Sequence, residues 1–252
     1  MKGQQKYIAI ALLTLLWSCE LDGGDTEGIS RITYFPDFDY KGSSVMLAPC
    51  GTPVADPGVT AKENGVPLEV TTSISALISG GTVPSVPGTS DRYTIGYTAT
   101  NQDGYPANTS RVIWEACTGD LVTSIEGLYT STVFRDGVSG AQYTNMKYIL
   151  IRKKPGSSNV YQISDCIGGW YQLGRALGDA YLAPGLEITP NNIATNSFTF
   201  GGNPRVLTFG GPVAPQSLTV DAATKTLVLT SKWDNGAGTI YTFVATLKQV
   251  SI

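Results

Sequence analysis

The sequence predicts an all-β chain, with an N-terminal β-sandwich followed by an antiparallel unit that is a second sandwich or is barrel-like. Three observations predict it. Larger residues alternate with small polar ones at the period-2 spacing of a half-buried strand, as in Tyr93, Ile95, Tyr97 and Ala99. Turn chemistry recurs at short intervals (Asn64-Gly65, Asn101-Gln102-Asp103-Gly104, Asp234-Asn235-Gly236) in a chain holding 29 glycines and 14 prolines. Helical periodicity is scarce. Only Trp170 to Ala183 breaks the strand pattern, and Gly174 and Gly178 weaken a helix there. The 252 residues are enough for two domains at roughly 100–200 residues each.

Composition excludes several kinds of chemistry. The chain has no histidine, so it holds no Ser-His-Asp triad, Cys-His pair, histidine-ligated zinc or imidazole base. Charged residues are 15%, against about 25% in an average soluble domain. The net charge of −3 and pI near 5.0 argue against a nucleic-acid surface, which needs a cationic field to displace counterions. No Ser-x-x-Lys dyad and no glycine-rich phosphate loop before a helix is present. No metal site and no cofactor is expected.

The first element is a targeting segment. Lys2 and Lys6 precede the apolar run Tyr7 to Trp17, too short for a membrane-spanning helix of about 20 residues. Leu16-Trp17-Ser18-Cys19 then sets a small residue before a cysteine. This stretch resembles the lipobox of bacterial lipoprotein signals. That resemblance implies a signal peptide over residues 1–18 and lipidation of Cys19, two or more acyl chains being needed for stable anchoring. The alternative is a plain signal peptide cut elsewhere, with Cys19 a bystander. Residues 19–28 hold four carboxylates and three glycines and read as a flexible, self-repelling tether. An acidic run after the lipidated cysteine resembles the surface-export signal of Bacteroidota lipoproteins. By that resemblance the protein is held to the outer membrane by its lipid alone and faces the exterior; the alternative is a periplasm-facing lipoprotein.

With Cys19 acylated, Cys50, Cys117 and Cys166 remain. Cys50 lies near the start of the first globular segment and Cys117 at its end, so a Cys50–Cys117 disulfide is one reading, stabilising by about 4–5 kcal/mol in the chain-entropy treatment. The other is three small buried hydrophobes.

The first unit covers residues 29–118. Tyr93 to Thr100 and Thr109 to Glu115 are expected strands joined by the Asn101–Gly104 turn. Asn101, Asp103 and Asp91 lack EF-hand spacing and a closing glutamate, so this is read as a hairpin turn and not as a calcium site. Asp56-Pro57-Gly58-Val59-Thr60-Ala61, Pro87-Gly88-Thr89 and Tyr93 to Gly104 resemble bacterial Ig-like domains of the hyalin-repeat-like type. The resemblance implies an Ig-like sandwich and says little of function, because such modules serve as spacers, adhesive units and ligand holders alike.

The second unit covers residues 119–252. Expected strands are 128–134, 147–152, 160–163, 197–200, 206–209 and 217–220, then the hairpin 226–233 with 239–247. Asn159 to Tyr171 and Val220 to Leu227 resemble a C-terminal domain of Bacteroidota surface lipoproteins, a family without an assigned activity. Its association with polysaccharide-utilisation systems implies glycan as the partner, with outer-membrane importer components as a second.

Exposed sugar sites need flat aromatic faces with polar groups beside them. The candidates are Trp170 and Tyr171 after a flexible Gly168-Gly169, Tyr181, and Trp233 at a hairpin mouth, with Asp165, Arg175, Asp179, Asn203 and Asp234 as polar edges. The competing reading makes these aromatics core plugs; Trp114, inside a strand, is expected in the core. Asp136, Asp165, Asp179 and Glu187 are the carboxylates available to a glycosidase, but no motif selects two of them. The expectation is therefore a non-enzymatic surface lipoprotein that binds polysaccharide or oligosaccharide for uptake. The alternative is a structural or adhesive protein that binds another protein and has no sugar site.

Overall fold

The computed structural model describes residues 32–252; the expected signal peptide, Cys19 and the expected 19–28 tether lie outside the described residues. The fold is all-β. Its strands are β1 (Asp37–Tyr40), β2 (Val45–Pro49), β3 (Val59–Glu63), β4 (Val66–Leu68), β5 (Thr71–Ala76), β6 (Thr82–Val83), β7 (Asp91–Thr100) and β8 (Pro106–Ala116), then β9 (Gly127–Arg135), β10 (Met146–Lys153), β11 (Tyr161–Ile163), β12 (Leu186–Asn192), β13 (Ser197–Gly202), β14 (Arg205–Val206), β15 (Gly210–Asp221), β16 (Thr226–Asp234) and β17 (Ile240–Gln249).

Strands β1 to β8 form two sheets, ordered β1-β3-β4 and β2-β8-β7-β5-β6. Only β2 and β8 pair in parallel, with Val45 opposite Val112 and Pro49 opposite Ala116. The alternation of β7 turns Tyr93, Ile95, Tyr97 and Ala99 inward, where they pack with Ile113, Phe38 and Tyr40. Arg111 ties the two sheets together from inside this core. Its Nε donates to Ser43 O (2.9 Å), Nη2 to Lys41 O (2.7 Å) and Gly58 O (3.2 Å), and Nη1 to the Tyr97 hydroxyl (3.0 Å) and the Asp56 carboxylate. Five donors thus meet five acceptors, which is what permits a fully buried guanidinium. The Asp56-Pro57-Gly58 motif supplies two of these acceptors. Asn101 to Tyr105 is a hairpin turn, with Tyr105 N donating to Asn101 Oδ1 (2.7 Å).

Strands β9 to β17 form one curled sheet, ordered β13-β12-β11-β10-β9-β17-β16-β15-β14 and antiparallel throughout. Its concave face holds the larger core, including Tyr129, Ile149, Ile188, Leu229, Phe243 and Leu247. One strand was not among those expected, and one expectation is corrected. Residues 186–192 form a strand despite Pro190, which sits next to an irregularity in the pairing with β13. Residues 207–209, expected as strand, are a turn between β14 and β15, because the Gly210-Gly211 pair takes left-handed backbone (φ +72° and +76°) and reverses the chain. The excursion after β11 contains one π-helical turn (Trp170–Gly174) and a 3₁₀ turn (Asp179–Tyr181).

Cys50 and Cys117 are joined by a disulfide that ties β2 to the end of β8, and Cys166 is a buried thiol. The two halves meet beside that disulfide. Trp114, Ala116, Leu128 and Leu150 share a small core, and the Trp114 ring stands edge-on to Tyr148 at 5.8 Å. Arg152 Nη1 donates to Asp91 Oδ2 (2.7 Å) and Ser79 Oγ (2.8 Å), and Nη2 to Gln162 Oε1 (3.1 Å). At the far end of the β7-β8 hairpin, Asn101 Nδ2 donates to Tyr34 O (2.7 Å) and Phe35 packs on Tyr105. The described chain therefore enters about 30 Å from the junction, the length of a ten-residue strand.

Candidate functional site

At one end of the curled sheet, where β9 finishes and β17 begins, eight aromatic rings form a continuous cluster. Tyr143 stacks on Trp170 (centroids 3.5 Å apart, 6° between planes), and Trp170 meets Phe243 at 5.9 Å. Tyr171 contacts Phe243, Trp233 and Phe209 at 6.3, 5.5 and 5.0 Å. Tyr181 stands edge-on to Phe209 at 4.9 Å, and Tyr241 stacks on Trp233 at 5.6 Å. Edge-to-face and offset pairs of this kind add about 0.5–1.5 kcal/mol each beyond area burial.

Local sequence explains the placement. Gly168 and Gly169 carry φ of +70° and +81°, and a Cβ on Gly168 would lie 2.6 Å from Ala245 Cβ and 2.7 Å from Val133 Cγ2. Ser131 Oγ also donates to Gly168 O (2.8 Å). The pair is thus a pinned close approach, not the flexible lead expected from its composition, and it delivers Trp170 and Tyr171 against the sheet. Asp165 holds the same excursion from beneath. Its Oδ1 accepts from Ile167 N (2.9 Å) and its Oδ2 from Ala183 N (3.2 Å), so one carboxylate clamps both ends of the segment. Burial pushes its pKa up to about 6 against the pull of these backbone donors.

The sequence-derived candidates come together, but mostly as core. Trp170, Tyr171 and Trp233 are only 3–4% exposed, and Asp165 is fully buried. They are corrected from an exposed platform to its foundation, since aromatic area this large is more stable against the sheet than in water. Trp233 Nε1 donates to Gly210 O (2.9 Å), whereas Trp170 Nε1 is buried without an acceptor. Tyr181 is half-buried at the edge of the cluster, and Arg175 is exposed. Asp179 belongs to the domain junction, where it takes a bidentate pair from Arg92 and a bond from Gln172 Nε2 (2.8 Å). Asp234 and Asp136 accept from backbone N–H groups of Gly236 and Thr242, and Glu187 pairs with Lys154.

Besides Tyr181 and Arg175, the residues that face solvent are ones the sequence did not single out. Phe209 is 45% exposed, on the turn whose Thr208 donates twice to Ala180 O. Tyr143, Tyr241 and Arg135 are half-buried. The Arg135 guanidinium lies between two rings, 5.1 Å from the Trp170 centroid and 4.8 Å from that of Tyr241. An aromatic directly before Gly-Gly was the one sequence signal for Phe209; Tyr143 and Arg135 carried none.

Two recesses lie at the junction of the halves. One, about 360 Å³, is bounded by Leu77, Ile78, Gln162, Asp179, Leu182 and Leu207. The other is an apolar groove of about 550 Å³ lined by Val45, Leu47, Val112, Trp114, Tyr148 and Leu173, with Lys147 and Arg92 beside it.

The sequence has no match among curated proteins. The fold is similar to the crystal structure of the lipoprotein BT2262 from Bacteroides thetaiotaomicron, with a TM-score of 0.61 and 24% identity, covering 85% of this chain and 100% of that one. At that identity the likeness is one of fold. Residues 118–249, just over half of the chain, match the family described as "-like, C-terminal domain", and the chain belongs to that family.

Proposed function

We propose that the protein is a non-catalytic lipoprotein of the outer membrane, facing the exterior, that binds polysaccharide or oligosaccharide for delivery to an importer. The observation that carries this reading is the solvent-facing edge of the aromatic cluster. Tyr143, Tyr181, Phe209 and Tyr241 stand on a base of buried rings, with Arg135 supplying a polar edge. Apolar ring faces beside planar donors suit the C–H faces and hydroxyls of pyranose rings, and a preordered base lowers the entropy cost of binding.

Three further features support the setting. The Leu16-Trp17-Ser18-Cys19 stretch has the form of a lipidation signal. The similar fold belongs to a lipoprotein, and among the described residues no helix is long and apolar enough to cross a membrane. The start of the described residues and the second half lie at opposite ends of the first, as a spacer would have them. The carboxylates that a glycosidase would draw on are each held by a backbone, arginine or lysine partner.

A polysaccharide array probed with the full chain tests the reading. Binding to at least one glycan is expected, weakened about tenfold or more by Phe209→Ala with Tyr181→Ala in a protein of unchanged fold. A parent that binds no glycan on a broad array would sink it. The second reading, a structural or adhesive protein that docks another protein, is favoured by the open apolar groove along β2. It predicts that Leu47→Asp abolishes a surface interaction without affecting glycan arrays.

A further inference from the structure

The charge of the molecule is unevenly divided. Residues 32–118 carry four Lys and Arg against eight Asp and Glu, whereas residues 119–252 carry ten against eight. An acidic protein thus has a second half that is net positive. Three of that half's cations are neutralised by carboxylates: Arg152 by Asp91, Lys153 by Glu126 and Lys154 by Glu187. Among the described residues, neither Arg135 nor Arg175 has a carboxylate within ion-pair distance.

Burial raises the pKa of the Tyr171 hydroxyl, and Arg135, its hydrogen-bonding neighbour, works against that rise. The Arg135 guanidinium therefore sits half-buried at the aromatic edge with no carboxylate among the described residues within ion-pair distance, while Arg175 is exposed. Arg135 is also pre-oriented, because its guanidinium packs against the Trp170 and Tyr241 rings and Tyr171 takes only part of its set of N–H donors. That geometry matches a planar carboxylate in bidentate fashion, and an ammonium in the same place would not.

We propose that this edge takes an acidic glycan, with the carboxylate of a uronate residue on the Arg135 fork, Arg175 adding charge, and the sugar ring against Tyr241 and Phe209. The inference rests on the glycan reading above and narrows it to one substrate class. Native affinity electrophoresis of the full chain in detergent, in gels containing polygalacturonate, its fully methyl-esterified form, carrageenan or dextran, separates the cases. Retardation by polygalacturonate alone is expected. Arg135→Gln reduces it tenfold or more, Arg135→Lys leaves an intermediate affinity, and Arg175→Ala costs about threefold. Melting temperatures of the variants, with Lys225→Ala as a distant control, separate lost binding from lost fold. Equal retardation by carrageenan and polygalacturonate overturns the carboxylate fork in favour of nonspecific charge. Binding to dextran that Arg135→Gln leaves unchanged overturns the acidic class and leaves glycan capture standing. No retardation in any gel, with no glycan bound on the array, removes both.

Discussion

Arg111 and Glu115 sit four residues apart on β8, and burial treats them in opposite ways. Arg111 meets five acceptors, so replacing it takes the counter-charge from Asp56 and a buried donor from Ser43 O and Lys41 O. Arg111→Ala is expected to cost about 3–5 kcal/mol, read as a fall in the urea midpoint. Glu115 is fully buried with only Gly88 N near its Oε2 (3.3 Å), faces Asp91 across the β7-β8 pair, and leaves Oε1 without a partner. Burial pushes its pKa up to about 7 from an ordinary 4.5. Because the folded pKa is the higher one, the folded state keeps a proton that the unfolded chain releases between these values. Stability from this group is present below about pH 4.5 and falls as pH rises through 7. Glu115→Gln should therefore gain melting temperature relative to the parent between pH 5 and pH 8. A constant difference across that range would contradict the buried acid.

At the scale of elements, the 165–183 excursion decides whether an aromatic edge exists at all. Its shape depends on Gly168, where any side chain meets Val133 and Ala245 on β9 and β17. Gly168→Ala is expected to destabilise by about 1–3 kcal/mol and to alter near-ultraviolet circular dichroism, since Trp170 and Tyr171 follow directly. An unchanged aromatic signal would mean that the glycines do not position the rings. What was legible in the sequence follows the range of the forces involved. The alternation of β7 and the turn after it are local and could be read directly. So could the β16-β17 hairpin, whose Asp234 to Gly238 turn is encoded in adjacent residues. Strand β12 was hidden by Pro190 and two asparagines, and it pairs through neighbours that the sequence does not identify. Trp170, Tyr171, Tyr181 and Trp233 were recognisable as aromatics of the site, but which rings face water was not. Trp170 and Phe209 differ through packing between residues dozens of positions apart.

For the whole molecule, the disulfide and the junction network set how the two halves behave. Arg152 and Asp91 form a buried pair and Arg92 grips Asp179 across the same boundary, so the halves are locked and not loosely strung. Cys117→Ser opens the Cys50 link and is expected to lower stability by about 4 kcal/mol in the chain-entropy treatment, checked by chemical denaturation under non-reducing conditions. Such a locked pair suits a spacer that carries a binding edge away from a membrane anchor. The most direct test of that account is hydrogen–deuterium exchange of the full chain with and without the glycan that binds best on the array. The account predicts added protection at residues 141–143, 205–211 and 239–242, around Tyr143, Phe209 and Tyr241. Protection confined to the groove at residues 45–47, 112–114 and 147–148, or none at saturating glycan, would contradict it.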